Sequence, residues 1–180
     1  MILGLDVSTS KTGWCLLDSH GGLVRMGCLV SHDGDDLFAK ADRLAEEVKS
    51  QIQGHQQGLQ IVIEEPLLRF ARGMSSASTL LTLNRYNGMV THAVWKSTGV
   101  KPTHLNVIFA RRRLGIKKGK DDKVKEVVMD WVAKSLPDYQ WPTRVVTRGK
   151  NRGAVIFEES CFDVADAYVM ARASYESLVK

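Results

Sequence analysis

Four carboxylates sit where an acid is costly unless it has work to do. Asp6 lies in the apolar run Ile2-Leu3-Gly4-Leu5-Asp6-Val7, and Glu64 directly follows Ile61-Val62-Ile63. If that triplet is a strand, Glu65 faces the opposite way, because side chains alternate along extended chain. Asp163 and Asp166 are three residues apart, a spacing that puts both on one face of a helix. Each has an ordinary explanation. Asp6 can close an Asx turn on the backbone of Ser8 or Thr9. Glu64 can be an exposed strand end, and Ser160 with Asp163 fits a capping box close to a helix N-terminal dipole. The set is harder to explain that way. An unpaired buried carboxylate costs several kcal/mol, and acids on one helix face repel unless a cation lies between them. If the first and fourth strands are neighbours, all four acids converge. That many hard oxygen donors suit Mg²⁺ or Mn²⁺ and not zinc. Two such ions about 4 Å apart activate water and stabilise the leaving oxygen of a phosphodiester.

The elements that must bring them together are legible. Ile2 to Val7, Gly13 to Asp18 and Leu23 to Val30 read as three strands, with Ser19-His20-Gly21-Gly22 as a hairpin turn between the last two. From Leu37 to Ile52 the apolar residues recur with a helical period, and Gln60 to Ile63 is a short strand stopped by Pro66. Ser75 to Trp95, free of proline, reads as one helix, with Gly88 permitting close packing. Thr103 to Ile108 is a further strand, and Val124, Val127, Val128, Trp131 and Val132 mark an amphipathic helix. Pro137 and Pro142 bracket a loop or short strand approach. Arg144 to Val155, basic and punctuated by glycine, reads as a mobile loop, and Phe162 to Val179 as a final alanine-rich helix. The expected fold class is α/β: a mixed sheet, three antiparallel strands followed by parallel ones, flanked by helices within a single domain over residues 1–180.

Charge points toward a polyanion. The formal net charge is +5, and the segment from Arg111 to Lys123 carries all of that excess through Arg111, Arg112, Arg113, Lys117, Lys118, Lys120 and Lys123, offset by Asp121 and Asp122. Such density favours phosphate contacts and salt-dependent binding over a merely solvated face. Arg144, Arg148, Lys150 and Arg152 form a second basic stretch beside the acids of the last helix, able to clamp a nucleic-acid backbone or simply to be solvated. Cys15, Cys28 and Cys161, odd in number and widely spaced, suit thiols in a reducing cytosol better than disulfides or a zinc site. No apolar run is long enough to span a membrane, and the start of the chain lacks the layout of a signal peptide. A cytoplasmic setting is therefore expected. The five histidines are scattered without ligand spacing, and Trp14, Trp95, Trp131 and Trp141 read as packing residues.

Taken in order, these motifs resemble the RuvC-like branch of the RNase H-like superfamily, the Holliday junction resolvases. Ile2 to Trp14 looks like the first-strand motif, an acid followed by a Ser/Thr-rich turn and a glycine. Ile61-Val62-Ile63-Glu64-Glu65 looks like the strand-ending glutamate, Gly119-Lys120-Asp121-Asp122-Lys123-Val124 like a lysine-led helix start, and Phe162-Asp163-Val164-Ala165-Asp166-Ala167 like the helix-opening Asp-x-x-Asp-Ala. The resemblance covers nearly the whole chain. It implies a homodimer that makes paired, Mg²⁺-dependent nicks across a branched, four-way DNA junction. It carries metal-ligand and water-activating roles onto Asp6, Glu64, Asp163 and Asp166 and places Lys123 near the scissile phosphate. A second catalytic lysine of the family has several basic candidates here (Arg112, Arg113, Lys117, Lys118). The family's aromatic wedge at the junction centre falls on Phe70, although Pro66-Leu67-Leu68-Arg69 departs from its pattern. The long helix would pack against its mate, with Gly73-Met74-Ser75-Ser76 near phosphate.

Other classes fit less well. Asp6-Val7-Ser8-Thr9-Ser10-Lys11-Thr12-Gly13 also looks like the phosphate-binding turn of actin-like kinases and ATPases, but those have two such lobes and are much longer. A non-catalytic nucleic-acid-binding module would be expected to have lost acids, and all four are present. A nuclease acting on flaps, forks or RNA–DNA hybrids would keep the same residues and differ in substrate geometry.

Overall fold

A computed structural model describes residues 1–32, 34–66 and 77–179. The chain opens with three strands, β1 (Ile2–Val7), β2 (Lys11–Leu17) and β3 (Leu23–Val30), followed by α1 (Leu37–Gln51), β4 (Gln60–Glu64) and α2 (Ala77–Thr98). Then come β5 (Thr103–Leu105), α3 (Val107–Arg113), α4 (Val124–Ser135), β6 (Thr143–Val145), β7 (Val155–Phe157) and α5 (Ser160–Leu178). The main sheet has the order β3-β2-β1-β4-β5. β1 runs antiparallel to β2 and parallel to β4, with Leu5 beside Ile63 in the register. This is the mixed α/β sheet expected from the sequence.

Strand alternation sorts the apolar side chains into two cores. Leu3, Leu5, Ile61 and Ile63 face α1 and α2, where they meet Leu44, Val48, Tyr86 and Val90. Ile2, Cys15, Leu17 and Val62 face the other way, toward Val128 and Met129 of α4 and the alanine-rich length of α5. α5 lies on β1 and β2 because two glycines leave room for its backbone. A Cβ on Gly4 would run into the Ala167 carbonyl, and one on Gly13 into the carbonyl of Asp163.

Two segments depart from the sequence reading. The strand expected across Thr103 to Ile108 ends at Leu105, because Asn106 caps a helix: its side chain accepts from the backbone N–H groups of Ile108 (3.0 Å) and Phe109 (3.3 Å). The loop expected across Arg144 to Val155 is found over residues 146–154, but its two ends belong to a two-stranded ribbon in which Val145 pairs with Val155. The final helix begins at Ser160, two residues before its expected start. All three cysteines are free thiols. Among the described residues no helix is long and apolar enough to cross a membrane.

Candidate active site

The topology delivers the acids to one end of the sheet. Asp6 lies near the C-terminal end of β1 and Glu64 ends the parallel neighbour β4. Gly13, the partner of Asp6 on β2, is the residue over which the Asp163 carbonyl sits, so the first turn of α5 is pressed onto the same end. The electrostatics register the convergence. Loss of hydration, then the charges of Glu64 and Asp166, push the Asp6 carboxyl well above its usual range, with Asp163 adding to the same effect. Glu64 is raised by burial and by Asp166, although Asp6 and then Arg111 oppose the rise. The side chains of Asp6 and Glu64 act on one another directly, raising Asp6 and lowering Glu64. Burial raises Asp163 too, against the pull of Lys125 and Lys11.

The ordinary explanations for these acids do not describe the structure. The turn after β1 is closed by Ser8, whose hydroxyl donates to the Lys11 carbonyl (2.6 Å) and accepts from the Lys11 N–H (3.1 Å). At the start of α5 the N-cap position is Glu159, without a side-chain capping bond, so Ser160 and Asp163 form no capping box. Glu65 turns away, its carboxylate accepting from the Asn106 side chain (3.2 Å).

Two cations stand beside the acids. Arg111 of α3 donates to Asp166 at 2.9 Å, and Asp166 is only 6% exposed. Lys125 approaches Asp163 at 3.9 Å. With those pairs formed, no group of three or more His, Cys, Asp or Glu side chains among the described residues is posed to hold a metal ion. The donor chemistry nevertheless fits one. Asp6 and Glu64 are buried carboxyls that form no ion pair among the described residues, and Asp163 and Asp166 are faced by an ammonium and a guanidinium, so four oxygen-donor side chains stand at one place.

The structure places the other candidate residues at varying positions relative to the acids. Lys123 is not brought to the acids: its ammonium pairs with Glu126 at 2.9 Å, and Lys125 is the lysine beside Asp163. Of the basic run, Arg111 faces inward and Arg113 donates to the Glu176 carbonyl (3.0 Å), whereas Arg112, Lys117, Lys118, Lys120 and Lys123 are solvent-facing. Arg148 and Lys150 are exposed at the tip of the β6–β7 ribbon. Phe70 and the Gly73–Ser76 segment lie outside the described residues. Sequence reasoning missed Asn87. It is buried in α2, donates to the Glu64 carbonyl at 3.0 Å, and its amide oxygen meets His104 at 3.1 Å. Its signal was a polar side chain within the run Tyr86-Asn87-Val90, on the face the helix buries.

No family model matches the sequence, and no curated protein matches it. Solved structures do. The chain aligns over 99% of its length with Thermus thermophilus RuvC in complex with a Holliday junction substrate, at TM-score 0.61 and 13% identity, covering 94% of that chain. The yeast mitochondrial Holliday junction resolvase Ydc2 matches 97% of this chain at TM-score 0.55 and 13% identity, over 77% of its own length. Fowlpox virus resolvase, in complex with substrate Holliday junction DNA, matches 99% of both chains at TM-score 0.51 and 13% identity. At such identities the likeness is one of fold.

Proposed function

From the premise of a RuvC-like resolvase fold, we propose that this chain is a structure-selective DNA endonuclease that resolves four-way junctions by Mg²⁺-dependent phosphodiester hydrolysis. The observation that carries this reading is the gathering of Asp6, Glu64, Asp163 and Asp166 at one end of the sheet, where burial and the nearby charge of Asp166 raise both Asp6 and Glu64. These four side chains would hold Mg²⁺, with Mn²⁺ able to substitute. The ion would supply a polarised water as nucleophile and charge compensation for the leaving oxygen.

The remaining work falls to the protein's own groups. Metal binding would displace any proton that Asp6 and Glu64 hold more tightly than free carboxyls do. Asn87 holds the Glu64 main chain in place while that happens. Arg111 keeps Asp166 oriented and, released from it, is a guanidinium positioned for a phosphate oxygen. Lys125 stands in the same relation to Asp163. The exposed bases Arg112, Lys117, Lys118, Lys120 and Lys123 lead from α3 to the start of α4 and draw the backbone toward the acids.

Two active sites are needed to cut opposing strands, so the reading includes a homodimer. Leu81, Arg85, Gly88, His92 and Trp95 line one solvent-facing stripe of α2, with Leu81 63% and Trp95 45% exposed. A stripe with a large apolar side chain near each end and a glycine at its middle suits a second copy of the same helix.

The test is cleavage of a synthetic four-way junction beside linear duplex, flap, fork and RNA–DNA hybrid substrates, in Mg²⁺ and in EDTA. Paired nicks confined to the junction and to Mg²⁺ are expected. Asp6→Asn should lower cleavage by a factor of about 10³ or more while the junction is still bound. Robust nicking by Asp6→Asn would overturn the site, and preferential cutting of flaps or hybrids would move the substrate.

A further inference from the structure

The β6–β7 ribbon is not used by the reading above. Residues 143–157 contain four bases (Arg144, Arg148, Lys150, Arg152) and no acid. Arg148, Lys150 and Arg152 are all exposed at the far end, in a turn closed by backbone bonds from Arg152 N–H to the Gly149 carbonyl (3.2 Å) and from Gly153 N–H to the Val146 carbonyl (2.8 Å). Behind that tip, the paired residues Val145 and Val155 share one face and are 57% and 66% exposed. An isolated two-stranded ribbon is marginal in water, and two bare valines on it gain little from folding alone.

The root, in contrast, is firmly built. Trp141 stacks edge-on between Tyr139 (4.8 Å) and Phe157 (6.4 Å), and the Pro142 carbonyl accepts from both the Glu158 N–H (3.0 Å) and the Cys161 thiol (3.3 Å). Only Glu158 and Glu159 separate β7 from α5, whose first turn carries Asp163. Arg144 acts electrostatically on Glu159, the partner of Lys11 at 3.1 Å, so the root lies beside the acidic site. A cationic, apolar-walled ribbon is thus fixed to the helix that carries two of the four acids.

We propose that the β6–β7 ribbon is a DNA-gripping arm that enters the groove of a duplex arm flanking the cleavage point, its Arg148, Lys150 and Arg152 on phosphates and Val145 and Val155 against the groove wall. The major groove of B-DNA admits a two-stranded ribbon, and the absence of any acid from the ribbon's sequence matches a polyanion. The proposal rests on the DNA-directed reading of the chain for its partner and adds a contact surface separate from the acids and from the α3–α4 bases. Its grip would also set the position of α5 relative to the strand to be cut.

The experiment measures equilibrium binding of the full chain in EDTA, where cleavage plays no part, to four-way junctions with arms of about one and about three helical turns. Affinity is followed across a salt series for wild type, for the triple variant Arg148→Ala/Lys150→Ala/Arg152→Ala, and for Val145→Asn/Val155→Asn. The triple variant should reduce the log–log salt slope by about 2–3 on long arms, from roughly 0.9 per phosphate contact, and by much less on short arms. The valine variant should weaken long-arm binding about tenfold without changing the slope, since apolar contacts release no counterions. Equal slopes for wild type and triple variant on long arms would overturn the proposal. So would a valine variant that changes sedimentation and leaves DNA binding unmoved, which would assign the face to contacts between copies. Failure of the nuclease reading shows separately, as a wild-type chain that cuts no substrate in Mg²⁺ whatever its salt slope.

Discussion

Asp6 and Glu64 make a pH prediction with a definite sign. Both carboxyls are held above the 3.8 and 4.5 of free Asp and Glu, so the folded, metal-free chain binds protons more tightly than the unfolded chain. The associated stability is fully present below those free values and is lost as pH rises through the raised ones. In EDTA the melting temperature should therefore fall as pH rises above the free carboxylate range, and by more in wild type than in Asp6→Asn, which has no charge to bury at that position. At pH 8 the variant should melt higher than wild type, by about 2–4 °C for each kcal/mol of repulsion relieved in a chain of this size. Saturating Mg²⁺ should erase that difference by stabilising wild type alone. Parallel curves for the two proteins in EDTA, or equal gains from Mg²⁺, would contradict a strained acidic pair. This residue-level picture was partly legible in the sequence. An acid inside an apolar strand and an acid pair one helical turn apart are visible in the letters. The identity of the cations facing them is not, because Arg111 and Lys125 reach Asp166 and Asp163 only through the packing of α3 and α4 against α5.

At the scale of elements, the site depends on how closely α5 approaches β1 and β2. Gly13 is the tightest point, since any side chain there meets the main chain of Asp163, which cannot swing aside as a flexible side chain would. Gly13→Ala should cost on the order of 3 kcal/mol, the upper part of the range for overpacking. Any fraction that stays folded should have lost Mg²⁺-dependent stabilisation out of proportion, because the helix that shifts carries Asp163 and Asp166. Chemical denaturation with and without Mg²⁺ measures both effects, and a Gly13→Ala protein with wild-type stability and metal response would refute the seating argument. β1 and β4 were readable as short continuous apolar runs, β2 and β3 from the hairpin turn between them, α1 and α4 from their helical apolar periods and α5 from its alanine-rich length. The start of α3 was not: Thr103-His104-Leu105-Asn106-Val107-Ile108 is rich in strand-forming residues, and Asn106 acts as a stop signal for β5 only once its side chain caps the following turn. The β6–β7 ribbon escaped for the opposite reason. Its strands are three residues each, too short for a period, and they are separated by glycines and bases that read as loop.

For the whole molecule, the proposed junction cleavage would require one acidic site to become two coordinated cuts. The exposed stripe of α2 lies on the side of the helix away from Tyr86, Val90 and Val94, which fill the core beneath the sheet. Asn87, on the same helix, ties it to the Glu64 main chain. A second copy docked along this stripe would therefore be connected to the acids through one hydrogen bond. Leu81→Glu with Trp95→Glu places like charges on both sides of a self-complementary interface, where each is met by its own symmetry mate. The variant should sediment as a monomer while keeping its fold, because both side chains already face water. If dimer geometry enforces paired resolution, the monomer should bind junctions more weakly and convert them to singly nicked products. If each site works alone, the products should remain paired. A variant that still sediments as wild type would show that copies meet elsewhere, and the α2 stripe would then lose its part in the mechanism while the acids kept theirs.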